Sequence, residues 1–243
     1  MKVIVLSDIH ANITAFDAVL ADAGEFDAVW SLGDIVGYGP DPNECVERIR
    51  QLPNLISLSG NHDQAVLNRI ELADFNDEAR FAVVWTSSVL KKENYAFLAA
   101  QPDLQSMIDF DFTLAHASPR HHTWEYILDT QTAKANFQYF ITSYCLVGHT
   151  HLPILFRQLV INHVQMETPK ANQWIQLNGR VIINPGSVGQ PRDHNPLASY
   201  IILDVLERKI QFRRVAYDIA SVQKRMFRVG LPERHILRLS NGF

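Results

Sequence analysis

Short apolar runs alternate with longer stretches of helical spacing over the first third of the chain. Lys2 to Leu6 is a β-branched, strand-length run that ends at Ser7-Asp8-Ile9-His10. From Asn12 to Ala23, the residues Ala15, Phe16, Val19, Leu20 and Ala23 share one helix face. Asn12 is placed to cap this helix and Gly24 to stop it. Ala28 to Leu32 reads as a second strand, ending at Gly33-Asp34. Asp41-Pro42-Asn43-Glu44 resembles a capping box with proline at the first helical position, and predicts a helix to about Arg50. Leu55 to Leu58 is a third strand, ending at Gly60-Asn61-His62-Asp63. This βαβαβ order predicts parallel strands covered by helices.

The stretch from Gln64 to Gln101 has helical character, with Phe81, Val84, Trp85 and Val89 in helical register. Core packing against the sheet is the expectation for it, and residues 74–100 are also a candidate cap because they lie between two polar clusters. The period then changes. Strands are predicted at Phe110 to Ala115, Tyr144 to Val147, Ile154 to Leu159, Trp174 to Leu177, Val181 to Ile183, Ser199 to Asp204 and Ile210 to Val215, with a closing helix from Ile219 to Val229. Dense strands with short turns predict a second, partly antiparallel sheet packed on the first, a mixed α/β (α+β) class. No linker or repeat interrupts the chain, so a single domain over 1–243 is expected.

Composition narrows the setting. A chain of 243 residues, 47% hydrophobic and 20% charged, has the make-up of a globular domain rather than of a disordered or fibrous one. The longest apolar runs are strand-sized, well short of the roughly 20 residues that a membrane helix needs. Two cysteines, Cys45 and Cys145, give no disulfide framework and predict a reducing, cytoplasmic setting without a signal peptide. The net charge of −4 speaks against a stable nucleic-acid complex, which needs a basic footprint. Neither nucleic acid nor membrane is an expected partner.

Five polar clusters fall at the ends of predicted strands: Asp8-x-His10, Gly33-Asp34, Gly60-Asn61-His62-Asp63, His116 and Gly148-His149-Thr150-His151. In open α/β sheets that rim is where ligands collect. Asp-x-His alone is commonplace and Gly-Asp alone is a turn signal, so the information lies in their joint occurrence and order. Two Asp, one Asn and four His offer oxygen and imidazole donors without thiolate, which suits Mn, Fe, Zn, Co or Ni. Seven donors exceed one tetrahedral ion and suit two ions about 3.5–4 Å apart sharing a carboxylate. Such a pair leaves the pocket cationic inside an acidic chain, and therefore attractive to phosphate.

These motifs, in this order and over nearly the whole chain, resemble those of the calcineurin-like metallophosphoesterases. The stretches Gly33 to Pro42 and Asn184 to Arg192 are similar to the small bacterial and archaeal phosphodiesterase branch. The resemblance implies a four-layer α-β-β-α sandwich with two divalent metal ions, Mn or Fe/Zn being favoured. It implies Asp8, His10 and His151 on one ion, Asn61, His116 and His149 on the other, and Asp34 between them. His62 then resembles the catalytic histidine, with Asp63 orienting it, and a metal-held hydroxide attacks phosphorus in line. Asn61, His62 and Arg192 are candidate substrate contacts, although Arg192 could instead pair with Asp193 on a solvated loop. His121-His122 could line the substrate entrance. The expected partner is a small-molecule or nucleotide phosphoester, with a homodimer as a candidate assembly. A protein phosphatase or dinucleoside tetraphosphate hydrolase is disfavoured because Ile35-Val36-Gly37-Tyr38 lacks the arginine of that branch's motif. A non-catalytic metal-binding scaffold is disfavoured by the retained His62.

Overall fold

Alternation along the first strand sets the layering of the whole molecule. In the computed structural model, which describes residues 1–161 and 163–243, Ile4 and Leu6 enter one core while Val3 and Val5 enter another, all fully buried. A period of two sends successive side chains to opposite faces, so a strand apolar at every position must be covered on both sides.

In chain order the first elements are β1 (Lys2–Leu6), α1 (Ile13–Ala23), β2 (Ala28–Ser31), α2 (Pro42–Ile49), β3 (Leu55–Ser57) and α3 (Asn61–Val66). The helical stretch continues with α4 (Asp77–Val89) and α5 (Lys92–Ala99), followed by β4 (Leu104–Met107), β5 (Phe112–Ala115), α6 (Thr130–Asn136) and β6 (Tyr144–Leu146). The remainder comprises β7 (Pro153–Val160), β8 (His163–Glu167), β9 (Trp174–Gln176), β10 (Arg180–Pro185), β11 (Ala198–Asp204), β12 (Lys209–Val215), α7 (Ile219–Arg228) and α8 (Glu233–Asn241). One six-stranded sheet has the order β3-β2-β1-β11-β12-β9 and the other β4-β5-β6-β10-β7-β8. The β1, β2 and β3 strands are parallel, as are β5, β6 and β10, and antiparallel strands complete each sheet.

Three cores separate four layers. Phe16 and Val19 of α1, Val46 and Ile49 of α2, and Val222 and Met226 of α7 pack with Ile4, Leu6 and Val29 on the outside of the first sheet. Val3, Val5 and Trp30 face Phe112, Leu114, Leu146, Val181 and Ile183 between the sheets. Cys145, Phe156 and Ile182 meet Ala133 and Phe137 of the α6 region on the far side. The order is α-β-β-α. Each fully buried Val, Leu, Ile or Phe contributes about 1.5–3 kcal/mol, so the inter-sheet layer is the main adhesive between the halves. Among the described residues, no helix is long and apolar enough to cross a membrane.

Several elements depart from the sequence reading. The Gln64–Gln101 stretch is broken into α3, a short 3-10 turn, α4 and α5. On α4 the buried face is Ala79, Ala82, Val83 and Thr86, whereas Phe81 and Val84 are about half exposed (50% and 54%). Small residues win the inward positions because α4 packs closely on its neighbouring helices. The edge strands β4 and β8 are too polar to show alternation, and α6 has no apolar stripe. It starts because the Asp129 carboxylate accepts from the backbone N–H groups of Gln131 and Thr132, both at 2.8 Å. Asn12 caps α1 as expected, accepting from Ala15 N at 3.1 Å. Asp41 precedes α2 but its side chain makes no cap bond.

Asp41 instead accepts two hydrogen bonds from Arg225 of α7, at 2.9 and 2.8 Å, and Arg225 also donates to Thr14 Oγ1 at 2.7 Å. This bidentate pair fastens the C-terminal helices to α1 and α2. Replacing Arg225 by Met leaves a mostly buried carboxylate unpaired and should lower unfolding free energy by about 2–4 kcal/mol. Urea denaturation followed by circular dichroism reads the change.

Candidate metal centre

Parallel strands deliver their following loops to a common edge. Asp8 and His10 follow β1, Asp34 follows β2, Asn61 opens α3 after β3, His116 follows β5, and His149 and His151 follow β6. The loops leave the strands through strained turns: Asp8, His10, Asp34, His149 and His151 all have positive φ, between 47° and 64°. Such left-handed residues cost on the order of 1–3 kcal/mol each and persist only where the surroundings dictate them. Backbone bonds do so here, from Asp8 N to Gly33 O at 3.1 Å, His10 N to Asp34 O at 2.9 Å and Gly148 N to His116 O at 2.7 Å. Glycine is required beside the carboxylates. A Cβ at Gly60 would overlap the Asp34 carboxylate, and one at Gly148 would overlap the Ser7 hydroxyl.

The seven residues read from the motifs as metal donors converge and are almost fully buried, none more than 3% exposed. Their donor atoms form overlapping groups, Asp8-His10-His151 and Asp34-His116-His149, with a third group of His10, Asp34 and His62. Asn61 Oδ1 stands 3.0 Å from His116 Nε2. Asp34 Oδ2 is 3.7 Å from His10 Nε2 and 3.5 Å from His116 Nε2, so it belongs to both sides.

Hydrogen bonds behind the rings fix their orientation. Nδ1 of His10, His116 and His151 donates to the carbonyls of Val36 (3.1 Å), Leu32 (2.9 Å) and Gln190 (2.5 Å). A carbonyl can only accept, so in the neutral rings that bind a cation each of these Nε2 atoms carries a lone pair turned inward. His10 Nε2 and His151 Nε2 face each other at 3.1 Å, and Asp8 Oδ1 lies 3.4 Å from the latter. Asp8 Oδ2 is occupied by Ser7 Oγ (2.6 Å) and His149 N (3.1 Å), while Asp8 Oδ1 and His149 Nε2 are buried without a hydrogen-bond partner. Lone pairs directed at one another suit a shared cation. Ligand bonds of 2.0–2.2 Å would set neighbouring donors about 3.3 Å apart. The residues fit divalent ions.

Electrostatics agree. Burial opposes the charge of Asp34, but His116, His62 and His10 around it hold its carboxyl well below the usual range. His116, although burial pulls it down, is raised to about 9 by Asp34. Asp8 is pushed up to about 7 by burial, with Asp34 adding and His116 opposing. Burial lowers His10, His149 and His151, and takes His62 down to about 4. Keeping both carboxylates ionised side by side in this interior would require compensating positive charge, which divalent ions would supply.

His62 lies against this group, its ring 4.2 Å from Tyr38, 4.9 Å from His10 and 5.0 Å from Phe75. Its Nδ1 is buried without a partner, which leaves Nε2 as the nitrogen that meets the cleft. Asp63 makes no hydrogen bond to that ring, contrary to the expectation that it orients it. Its oxygens accept from the backbone N–H groups of Ile35 (3.3 Å), Val36 (3.1 Å) and Gly60 (3.1 Å). Asp63 therefore ties the Asp34 loop to the start of α3 and acts on His62 only through the backbone. Arg192 is not paired with Asp193, whose carboxylate bonds Arg214. It reaches Gln190 Oε1 at 3.0 Å and Tyr38 Oη at 3.4 Å and lines the cleft.

The cleft over the donors measures about 380 Å³ including its mouth, and Tyr38, Asp74, Phe75, Asn76, Trp124 and Tyr126 form its walls. The start of the candidate cap, Asp74 to Ala79, supplies one wall. His121 and His122 do not line the entrance; His122 Nε2 turns to Pro119 O at 3.2 Å. Two and four residues beyond His122, Trp124 and Tyr126 take that place. No motif signals these aromatics in the sequence.

The family model for the calcineurin-like phosphoesterase superfamily domain matches residues 1–208. An uncharacterized protein of Methanocaldococcus jannaschii is 38% identical over 234 residues, covering 94% of this chain and 93% of that one. The crystal structure of a metallophosphoesterase from Sphaerobacter thermophilus superposes with a TM-score of 0.91 at 47% identity, over 100% of this chain and 99% of that one. A hypothetical protein from Pyrococcus horikoshii shares the fold at 23% identity, with a TM-score of 0.81 over 100% and 98% of the two chains. With the donor cluster at the rim of its paired sheets, the chain belongs to the calcineurin-like phosphoesterase superfamily and is a phosphoester hydrolase.

Proposed function

We propose that the chain is a dinuclear metallophosphoesterase acting chiefly on small phosphodiesters, with monoesters as secondary substrates. The observation that carries the dinuclear reading is the position of Asp34, whose Oδ2 lies within 3.7 Å of His10 Nε2 and 3.5 Å of His116 Nε2. Asp8, His10 and His151 would hold one ion, Asn61, His116 and His149 the other, and Asp34 both, with Mn or an Fe/Zn pair matching the N/O donor set. Such ions lower the pKa of a bound water to about 7 and offset charge on the phosphoryl oxygens. The diester preference rests on the likeness of Gly33–Pro42 and Asn184–Arg192 to the small phosphodiesterase branch.

The remaining work falls to side chains of the cleft. Asn61 and Arg192 orient the phosphate, Arg192 from a position held by Tyr38 and Gln190. His62 holds a proton at Nε2 and delivers it to the departing oxygen. Burial disfavours its charged form, and an anionic phosphoester brought beside it opposes that effect. Asp63 positions both ends of this arrangement through its three backbone bonds.

Proton delivery matters only where the leaving group needs it. His62→Ala should reduce kcat on alkyl or nucleoside diesters by about 10²–10⁴-fold, the usual range for general acids. Aryl diesters such as bis(4-nitrophenyl) phosphate should lose far less, and equal losses on both would remove the role.

Metal dependence gives a second check. Chelation followed by gel filtration should abolish turnover and lower the melting temperature, since ions that bind only the folded state stabilise it. Manganese should restore both. Asp34→Asn should bind less than the wild-type complement of metal by elemental analysis and lose at least about a hundredfold in kcat.

A further inference from the structure

The walls of the cleft contain groups that the hydrolytic chemistry does not use. Trp124 and Tyr126 stand on one lip, in the loop between β5 and α6, and Phe75 on the other, just before α4. Phe75 and Trp124 meet edge to face at 4.9 Å, and Tyr126 lies over His149 at 4.1 Å. Phe75 is buried, but Trp124 is half-buried and Tyr126 is 45% exposed. Trp124 packs partly on the core, but Tyr126 stays exposed above a polar centre, and amphipathic rings so placed mark binding surfaces.

The rim chooses the ligand. Asp74 and Asn76 are exposed there, and Asn76 uses its Oδ1 to cap α4 on Ala79 N at 2.9 Å, which leaves its amide N–H groups to donate. Among the described residues lining the cleft, Arg192 is the one arginine or lysine, and it lies on the phosphate side. A second phosphate at the rim would therefore meet the carboxylate of Asp74 rather than a cation. An uncharged planar ring would meet the aromatic surface of Trp124 and Tyr126, an acceptor and a donor. The cleft opens to solvent between these walls, so a ring attached to a phosphate beside Arg192 would project toward them.

We propose that this lip is a subsite for a nucleobase-like ring, stacked on Trp124 and Tyr126 and attached through its sugar to the phosphate beside Arg192. The substrate class is then a nucleoside phosphoester with a single phosphate, rather than a polyphosphate or a sugar phosphate. The inference rests on the hydrolase reading for the place of the phosphate.

Calorimetric titration of the manganese-loaded protein with adenosine 5′-phosphorothioate and ribose 5-phosphorothioate, a pair that differs only in the base, tests it. The adenosine compound should bind at least about tenfold more tightly, the size that base–aromatic stacking supplies. Trp124→Ala should bring the ratio below about threefold and Trp124→Phe should keep it, because the second retains a stacking face. Equal binding of the two, binding of neither, or a preference that survives Trp124→Ala would overturn the proposal. Turnover assayed in parallel separates the two readings. Base preference without hydrolysis of any phosphoester would leave the subsite and sink the hydrolase roles, whereas hydrolysis without base preference would do the reverse.

Discussion

Keeping Asp34 ionised in the interior is the constraint on which the rest of the structure depends. With 1% of its surface exposed, this carboxylate has no arginine or lysine partner among the described residues. It is sustained by the imidazoles of His10, His62 and His116 and by the N–H of His62, which donates to Oδ1 at 2.8 Å. A buried charge so placed is costly unless opposite charge is close. The histidines alone meet this only in part, because burial disfavours the charged form of three of the four donor rings. The site is thus built to be completed by cations, and the fold holds donors, not acceptors of convenience, around the place where they would sit.

Holding that arrangement requires rigidity from both sheets. Asp8, His10 and Asp34 are carried by the first sheet, His116, His149 and His151 by the second, and the inter-sheet core of Val3, Val5, Trp30, Phe112, Leu114 and Ile183 lies directly beneath them. Left-handed backbone at five of the seven donors is the local cost of turning side chains from strand ends toward one centre. Packing energy from a shared apolar layer compensates for it, so stability and site geometry are coupled through the same residues.

Much of this was legible in the sequence, for identifiable reasons. Asp8, His10, Asp34, Asn61, His116, His149 and His151 stand just beyond apolar runs, and parallel topology carries such positions to one edge. The convergence of the donors follows, while the four-layer order came from the family resemblance. What escaped notice depends on partners distant in the chain. Asp41 looks like a helix cap until Arg225, 184 residues later, claims its carboxylate. Phe81 and Val84 look like a core face until the close neighbours of α4 demand Ala79 and Ala82 instead. Trp124, Tyr126 and Phe75 sit in irregular segments where no period exists to read. Asp63 stands next to His62 but bonds the backbone instead, since in a helix's first turn successive side chains point apart.

The position of β1 has a bearing on how the chain reaches this state. It precedes β11 by a long stretch of chain yet is an interior strand of its sheet, pairing with β2 on one side and, through contacts such as Val3 with Leu203, with β11 on the other. One flank of that strand stays open until β11, about two hundred residues further along, has emerged. Contacts this far apart in sequence slow folding and prolong the exposure of an apolar edge. Nascent chains arrested before β11 should accordingly be the species most prone to self-association.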